Sequence, residues 1–318
     1  MARTTRIFYV ADLHGSAICF RKFVNASSAY KADVLIVGGD IVAKTLTPIF
    51  PDGSGWVVTV EGERRAAHTP DELARLEDRL RDEATVPYRT TPNEWAELLA
   101  DRARIDRVFE TRAQEELRRW LDWAGERLRG RSTRLLIGLG NDDPSSIEPV
   151  IDRHPAAELT DHAVLRIGET HEMLTLAYSN PTPWATHREL SEEAIAAWIS
   201  ERHARLEDPA RAIYNFHVPP RDTPLDLAPR LDAKLTKLMA PGGEPEMVHV
   251  GSSAVRAALR RDQPLLGLHG HIHESRGTFQ IGRTMVINPG SAYTEGTLLG
   301  AVVDLGPDQI RTHLLTQG

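Results

Sequence analysis

The sequence predicts an α/β protein, on three observations. An apolar run at residues 7–11 and another at 33–37 flank residues 17–30, where Ile18, Phe20, Phe23 and Val24 fall at helical spacing. Further strand-like runs follow at 135–140, 163–167, 173–178, 212–216 and 264–268, with helical stretches at 191–206 and 253–261 between them. Several runs end in a side chain of the metal-ligand type, the position where open α/β sheets place their ligands.

The 318 residues suffice for one large α/β domain, and no internal repeat or low-complexity segment divides them. A net charge of −7 opposes binding to a phosphate backbone, so nucleic acid is not the expected partner. Arg102, Arg104, Arg107, Arg112, Arg118 and Arg119 alternate with acidic residues, as on a solvated helix face. The single cysteine, Cys19, permits no intrachain disulfide and fits a reducing compartment. No apolar run is long enough to span a bilayer, and the N-terminus lacks the core and cleavage site of a signal peptide, so a cytoplasmic protein is expected.

Each element has a local reason. The first strand ends in Asp12-Leu13-His14-Gly15-Ser16, where Ser16 is the expected helix cap. The second closes on Gly38-Gly39-Asp40. Residues 43–131 then break the rhythm. A hairpin is expected over residues 56–68 around Glu61-Gly62-Glu63, and a helix from Thr69-Pro70. A second helical stretch, broken once, runs over 91–129 with a stripe of Leu98, Ile105, Val108, Phe109, Leu117, Trp120, Leu121 and Leu128. This segment reads as an insertion on the core sheet, placed as a lid. Residues 224–245 read as irregular with a helical turn at 231–239. A hairpin at 277–287 and strands at 299–305 and 309–315 complete the chain.

The chemistry is concentrated at strand ends: Asp12 with His14, Asp40, Asn141, His217, and the stretch His269-Gly270-His271-Ile272-His273. One such residue is usually a cap or a turn former; five sites in series are not so explained. Alternate residues of a strand point the same way, so a strand through 269–273 would aim His271 and His273 at one point, with His269 as support.

This ordered series, D-x-H, G-D, G-N, H and G-H-x-H, resembles the calcineurin-like metallophosphoesterases, and Asn288-Pro289-Gly290-Ser291 resembles their bacterial and archaeal phosphodiesterase branch. The motifs span Asp12 to His273. The resemblance implies a two-layer mixed β-sandwich flanked by helices, in one domain over residues 1–318 with the 43–131 insertion. It implies a hydrolase that cleaves a phosphoester, more specifically a phosphodiester of a small molecule, with a hydroxide activated by a dinuclear centre. Asp12, His14, Asp40 and His273 would hold one divalent ion; Asp40, Asn141, His217 and His271 would hold the other. Such mixed nitrogen and oxygen donors suit Mn, Fe, Zn or Ni. The alternative is a non-catalytic metal-binding scaffold of this fold that acts through a protein partner. Oligomeric state is not legible.

The series departs from the commonest pattern at Asp142, where the resemblance implies a histidine that protonates the leaving group or stabilises the phosphate. An ionised Asp is no proton donor and repels phosphate. The expectation is that Asp142 faces away from the phosphate or that the leaving group needs no acid. Arg221 and His187 are the expected substrate contacts, with Arg188 beside the latter.

Overall fold

The structure is a computed structural model and describes residues 4–161 and 164–318. In chain order, β1 (Thr5–Val10), α1 (Ala17–Ala29) and β2 (Val34–Gly38) come first. Next come β3 (Leu46–Asp52), β4 (Gly55–Val60), β5 (Glu63–Ala67), α2 (Pro70–Asp82), β6 (Val86–Arg89), α3 (Pro92–Ala100) and α4 (Arg102–Leu128). They are followed by β7 (Arg134–Gly138), α5 (Glu148–Asp152), β8 (Glu158–Leu159), β9 (Leu165–Ile167), β10 (His171–Leu176) and α6 (Glu192–His203). The chain continues through β11 (Ile213–Phe216), β12 (Leu227–Pro229), β13 (Met247–His249), α7 (Ser253–Asp262) and β14 (Leu266–Leu268). It closes with β15 (Gly277–Ile281), β16 (Thr284–Asn288), β17 (Leu299–Leu305) and β18 (Ile310–Gln317).

Two six-stranded mixed sheets face each other, in the orders β18-β17-β1-β2-β7-β8 and β15-β16-β14-β11-β10-β9. Alternation along the strands explains the layers. Ile7, Tyr9, Val34, Ile36 and Leu136 point between the sheets and meet Met173, Ile213, Leu266 and Ile287. Phe8, Val10, Leu35 and Val37 point outward and bury against α1 and α4. On the far side Leu174, Leu176, Tyr214 and Phe216 bury against α6 and α7. The result is the αββα layering expected from the sequence.

The parallel strands position the site. β1, β2 and β7 run parallel in one sheet, and β10, β11, β14 and β16 run parallel in the other. Asp12, Asp40 and Asn141 therefore lie just past carboxyl ends in the first sheet, and His217 and the 269–273 stretch past carboxyl ends in the second.

Several expectations are revised. In the 43–131 segment, β5-β4-β3-β6 form a small sheet that buries Ile49, Val58 and Ala67 against Leu73, Leu76 and Leu80 of α2. The chain breaks between α3 and α4 at Asp101, whose carboxylate accepts the Arg104 N–H. One face of α4 packs into the main core: Ala113, Leu117, Trp120, Leu121, Ala124 and Leu128 are buried there, and Trp120 stacks on Phe20 of α1 at 4.5 Å. Residues 231–239 form no helical turn; the chain runs as a loose ribbon bridged at Leu231 with Lys237 and Met239 with Pro245, between the paired strands β12 and β13. Ser16 stands at the start of α1 without a side-chain capping bond. The strand expected over 163–167 is seen at Leu165–Ile167; Ala163 lies outside the described residues.

Candidate metal centre

Backbone geometry builds the site first. Asp12, His14, Asp40 and His271 all have positive φ, at 58°, 43°, 53° and 67°. Such left-handed backbone costs a non-glycine residue about 1 kcal/mol or more, so the surroundings must impose it. They do. The loops after β1 and β2 are stitched together by Asp12 N–H to Gly39 O, His14 N–H to Asp40 O and Gly15 N–H to Ile41 O, each 2.9 Å. The buried Asp143 carboxylate accepts the N–H groups of Ile41, Val42 and Gly140. From the second sheet, Gly270 N–H donates to His217 O at 2.9 Å, and His271 N–H donates to both Asp12 carboxylate oxygens at 3.0 Å. Asn288 and Ser291 brace this loop: Asn288 Nδ2 donates to Ile272 O, and Ser291 Oγ donates to Asp12 O. A Cβ on Gly270 would collide with Ala11 and Asp12, which is why the chain has glycine there.

The strand ends thus bring seven expected residues into one cluster. Asp12, His14 and His273 form one trio of donors, and Asp40, His217 and His271 another, with the donor atoms of each trio within 4.8 Å of one another. His14 Nε2 lies 3.0 Å from His273 Nε2 and 3.6 Å from Asp40 Oδ2. His217 Nε2 lies 3.4 Å from Asp40 Oδ2 and 3.1 Å from Asn141 Oδ1. Asp40 is therefore the member between the two trios. The histidine pair does not ride on a strand, however. β14 ends at Leu268, and the turn with left-handed His271 delivers both rings. His269 points away: it is fully buried, with Nδ1 2.8 Å from Phe216 O.

With its imidazoles neutral the cluster is rich in lone pairs, which tests whether a cation fits. His217 Nδ1 faces Gly38 O at 3.0 Å, so in the neutral ring it carries the hydrogen and Nε2 is the lone-pair atom open to a cation. The Asn141 amide nitrogen donates to Asp142 Oδ1 and Thr186 Oγ1, which turns Oδ1 toward His217. Three acceptors, His217 Nε2, Asn141 Oδ1 and Asp40 Oδ2, then converge. Such acceptors are satisfied by a shared cation, and the Asp, Asn and His donors present fit divalent Mn, Fe, Zn or Ni.

The titration pattern agrees. Burial opposes the His217 cation, but the Asp40 carboxylate outweighs it and pushes the imidazole up to about 10. Burial, joined by repulsion from His217, drives His271 down to about 4. Burial opposes the His273 cation too, yet the hydrogen bond to Asp12 and the Asp12 charge raise it. Burial works to raise Asp12 and Asp40; the histidines opposite hold both carboxyls below the usual range.

Asp142 does not face away. Its carboxylate is within 4.8 Å of the donor atoms of His14 and Asp40, and Oδ2 pairs with Lys44 Nζ at 2.6 Å. Its own N–H donates to Asp40 Oδ1 at 2.9 Å. The two expected substrate contacts, Arg221 and His187, lie on exposed surface, His187 directly after Thr186, which bonds Asn141. The Arg221 guanidinium is 3.8 Å from Asp222. Arg188 is buried and structural, donating to Asp143 O and pairing with Glu148 at 2.6 Å. The residues that sequence reasoning missed are Lys44, Thr186 and Tyr293. Tyr293 packs on His14 and His273, with ring centroids 4.7 and 5.7 Å away. Thr186 sits in a loop cinched by Glu189, which accepts from Thr182 and Thr186. Only the Pro and Thr content of that loop hints at its rigidity.

The chain has a layered α/β fold that solved structures share. A solved chain overlays on it with a TM-score of 0.59 at 18% identity, covering 99% of each chain. The protein TT1561 of Thermus thermophilus does so with a TM-score of 0.51 at 13% identity, again covering 99% of each. Identities this low establish likeness of fold alone. No protein-family model and no curated protein matches the sequence.

Proposed function

We propose that the chain is a metal-dependent phosphoesterase and that its substrate is a phosphodiester of a small molecule. The observation that carries the reading is the pair of Asp/His trios, each with two buried members and one half-buried histidine, joined through Asp40 on strained backbone at the carboxyl ends of strands from both sheets. Asp12, His14, Asp40 and His273 would hold one divalent cation, and Asp40, Asn141, His217 and His271 the second. Two cations so held supply Lewis acidity toward phosphoryl oxygens and make water acidic enough to act near neutral pH.

The chain's own residues do the rest. Asp40, with one carboxylate oxygen near His14 and His217, offsets charge at the shared position. Gly38 O fixes the His217 tautomer, and Asp142 with Thr186 fixes the face of Asn141. Tyr293 packs against the rings of His14 and His273 and helps hold their orientation. Lys44 offers a cation beside the cluster, where an anionic ester would sit.

The test is turnover of bis-p-nitrophenyl phosphate after chelator treatment and reconstitution with Mn, Fe, Zn or Ni. Turnover restored by metal and absent in Asp40→Asn is the expected result. No turnover of any phosphoester with any of these metals overturns the reading.

A further inference from the structure

Beside the two trios stands a third carboxylate, Asp142. A positive charge reaches it from another loop. Lys44 lies four residues beyond Asp40, and its ammonium is 2.6 Å from Asp142 Oδ2. Its side chain is 43% exposed, so a ligand can reach it. Asp142 is itself immobilised: Oδ1 accepts the Asn141 amide at 3.1 Å, and its N–H donates to Asp40 Oδ1 at 2.9 Å. One side chain thus ties an exposed cation to the middle of the metal centre. The carboxylate also places a negative charge within 4.8 Å of the donors of His14 and Asp40.

We propose that Lys44 contacts the phosphoryl oxygens of the substrate, that Asp142 positions it, and that the pair selects singly charged phosphodiesters over doubly charged phosphomonoesters. The inference rests on the phosphoesterase reading and names the residues that set its substrate class. A diester presents one negative charge, which the ammonium can share with Asp142. A monoester at neutral pH presents nearly two, and the second meets the carboxylate at close range, where like charges repel strongly. Asp142 itself touches no substrate; it acts through Lys44 and through its charge.

The test compares Lys44→Met, Lys44→Arg and Asp142→Asn with the metal-loaded wild type. Lys44 is half-exposed and Asn is isosteric with Asp, so all three variants are expected to fold; thermal melts check this. The assays are kcat and KM for bis-p-nitrophenyl phosphate and p-nitrophenyl phosphate, together with calorimetric binding of inorganic phosphate and dimethyl phosphate. Lys44→Met should raise the diester KM about tenfold or more with a smaller change in kcat, the usual loss for a charge-assisted contact. Lys44→Arg should restore that KM to within about threefold. Asp142→Asn should tighten inorganic phosphate about tenfold, weaken dimethyl phosphate as Lys44 loses its ion-pair anchor, and shift the ester preference toward the monoester.

Equal changes for monoester and diester in Asp142→Asn, or an unchanged diester KM in Lys44→Met, overturn the proposal. A wild type inactive on every ester would overturn the phosphoesterase reading. The two binding series would then still decide whether Lys44 and Asp142 sort anions by charge.

Discussion

Metal binding at His217 should depend on pH, because a proton occupies the nitrogen that a metal would take. Burial opposes this imidazolium, but Asp40, with Asp12 and Gly38 O, outweighs it and pushes the ring up to about 10, so it holds its second proton at pH 7. The sign follows from the unfolded reference of about 6.5. The folded value is higher, so the imidazolium stabilises the metal-free fold fully below about pH 6.5, and that contribution is lost as pH rises through about 10. A cation that takes Nε2 must displace this proton. Metal affinity should therefore rise about tenfold per pH unit from this residue alone, or about 30-fold between about pH 7.0 and 8.5. Chelator-competition titrations with Zn across this range give the slope. Calorimetry in buffers of different ionisation heat counts the protons released. Replacing His217 with Asn, which cannot hold the proton, should flatten the slope by about one log unit per pH unit. A flat wild-type profile, or an unchanged slope in His217→Asn, would show that no such proton is displaced.

Three further predictions concern the scaffold. Gly270→Ala drives a Cβ into Ala11 and Asp12 and should cost about 2 kcal/mol and weaken metal binding, read by thermal melts with and without Zn. Asp143→Ala leaves the N–H groups of Ile41, Val42 and Gly140 without their acceptor and should cost about 3 kcal/mol; because the same loop carries Lys44, KM for the diester should rise as well. Trp120→Ala empties the contact with Phe20 and should cost about 3–5 kcal/mol in chemical denaturation while leaving activity per folded molecule nearly unchanged. Loss of activity in the last variant without loss of stability would show that α4 acts on the site directly.

The sequence made the site more legible than its surroundings. Asp12, Asp40, Asn141 and His217 announced themselves because each follows an apolar run, and a parallel sheet gathers such ends along one edge. His271 and His273 were read for the right place but the wrong geometry: alternate spacing suits a strand, and the left-handed turn at His271 has no signature in a non-glycine residue. Lys44 carried no signal, since a lysine in a loop is ordinarily solvated; only the fold shows that Asp142 captures it. The strand β3 was illegible because Pro48 and Pro51 remove ladder donors, although it lies inside its small sheet. The stripe on α4 was visible, but its position between two core strands in sequence suggested an appendage. Its packing against α1 shows that it covers the first sheet itself.

The most direct measurement is anomalous diffraction from crystals of the protein loaded with Mn or Zn. Two peaks per chain are expected, one among Asp12, His14, Asp40 and His273 and one among Asp40, Asn141, His217 and His271, with Asp40 touching both. A single peak, or peaks that leave Asp40 uncoordinated, would overturn the dinuclear reading.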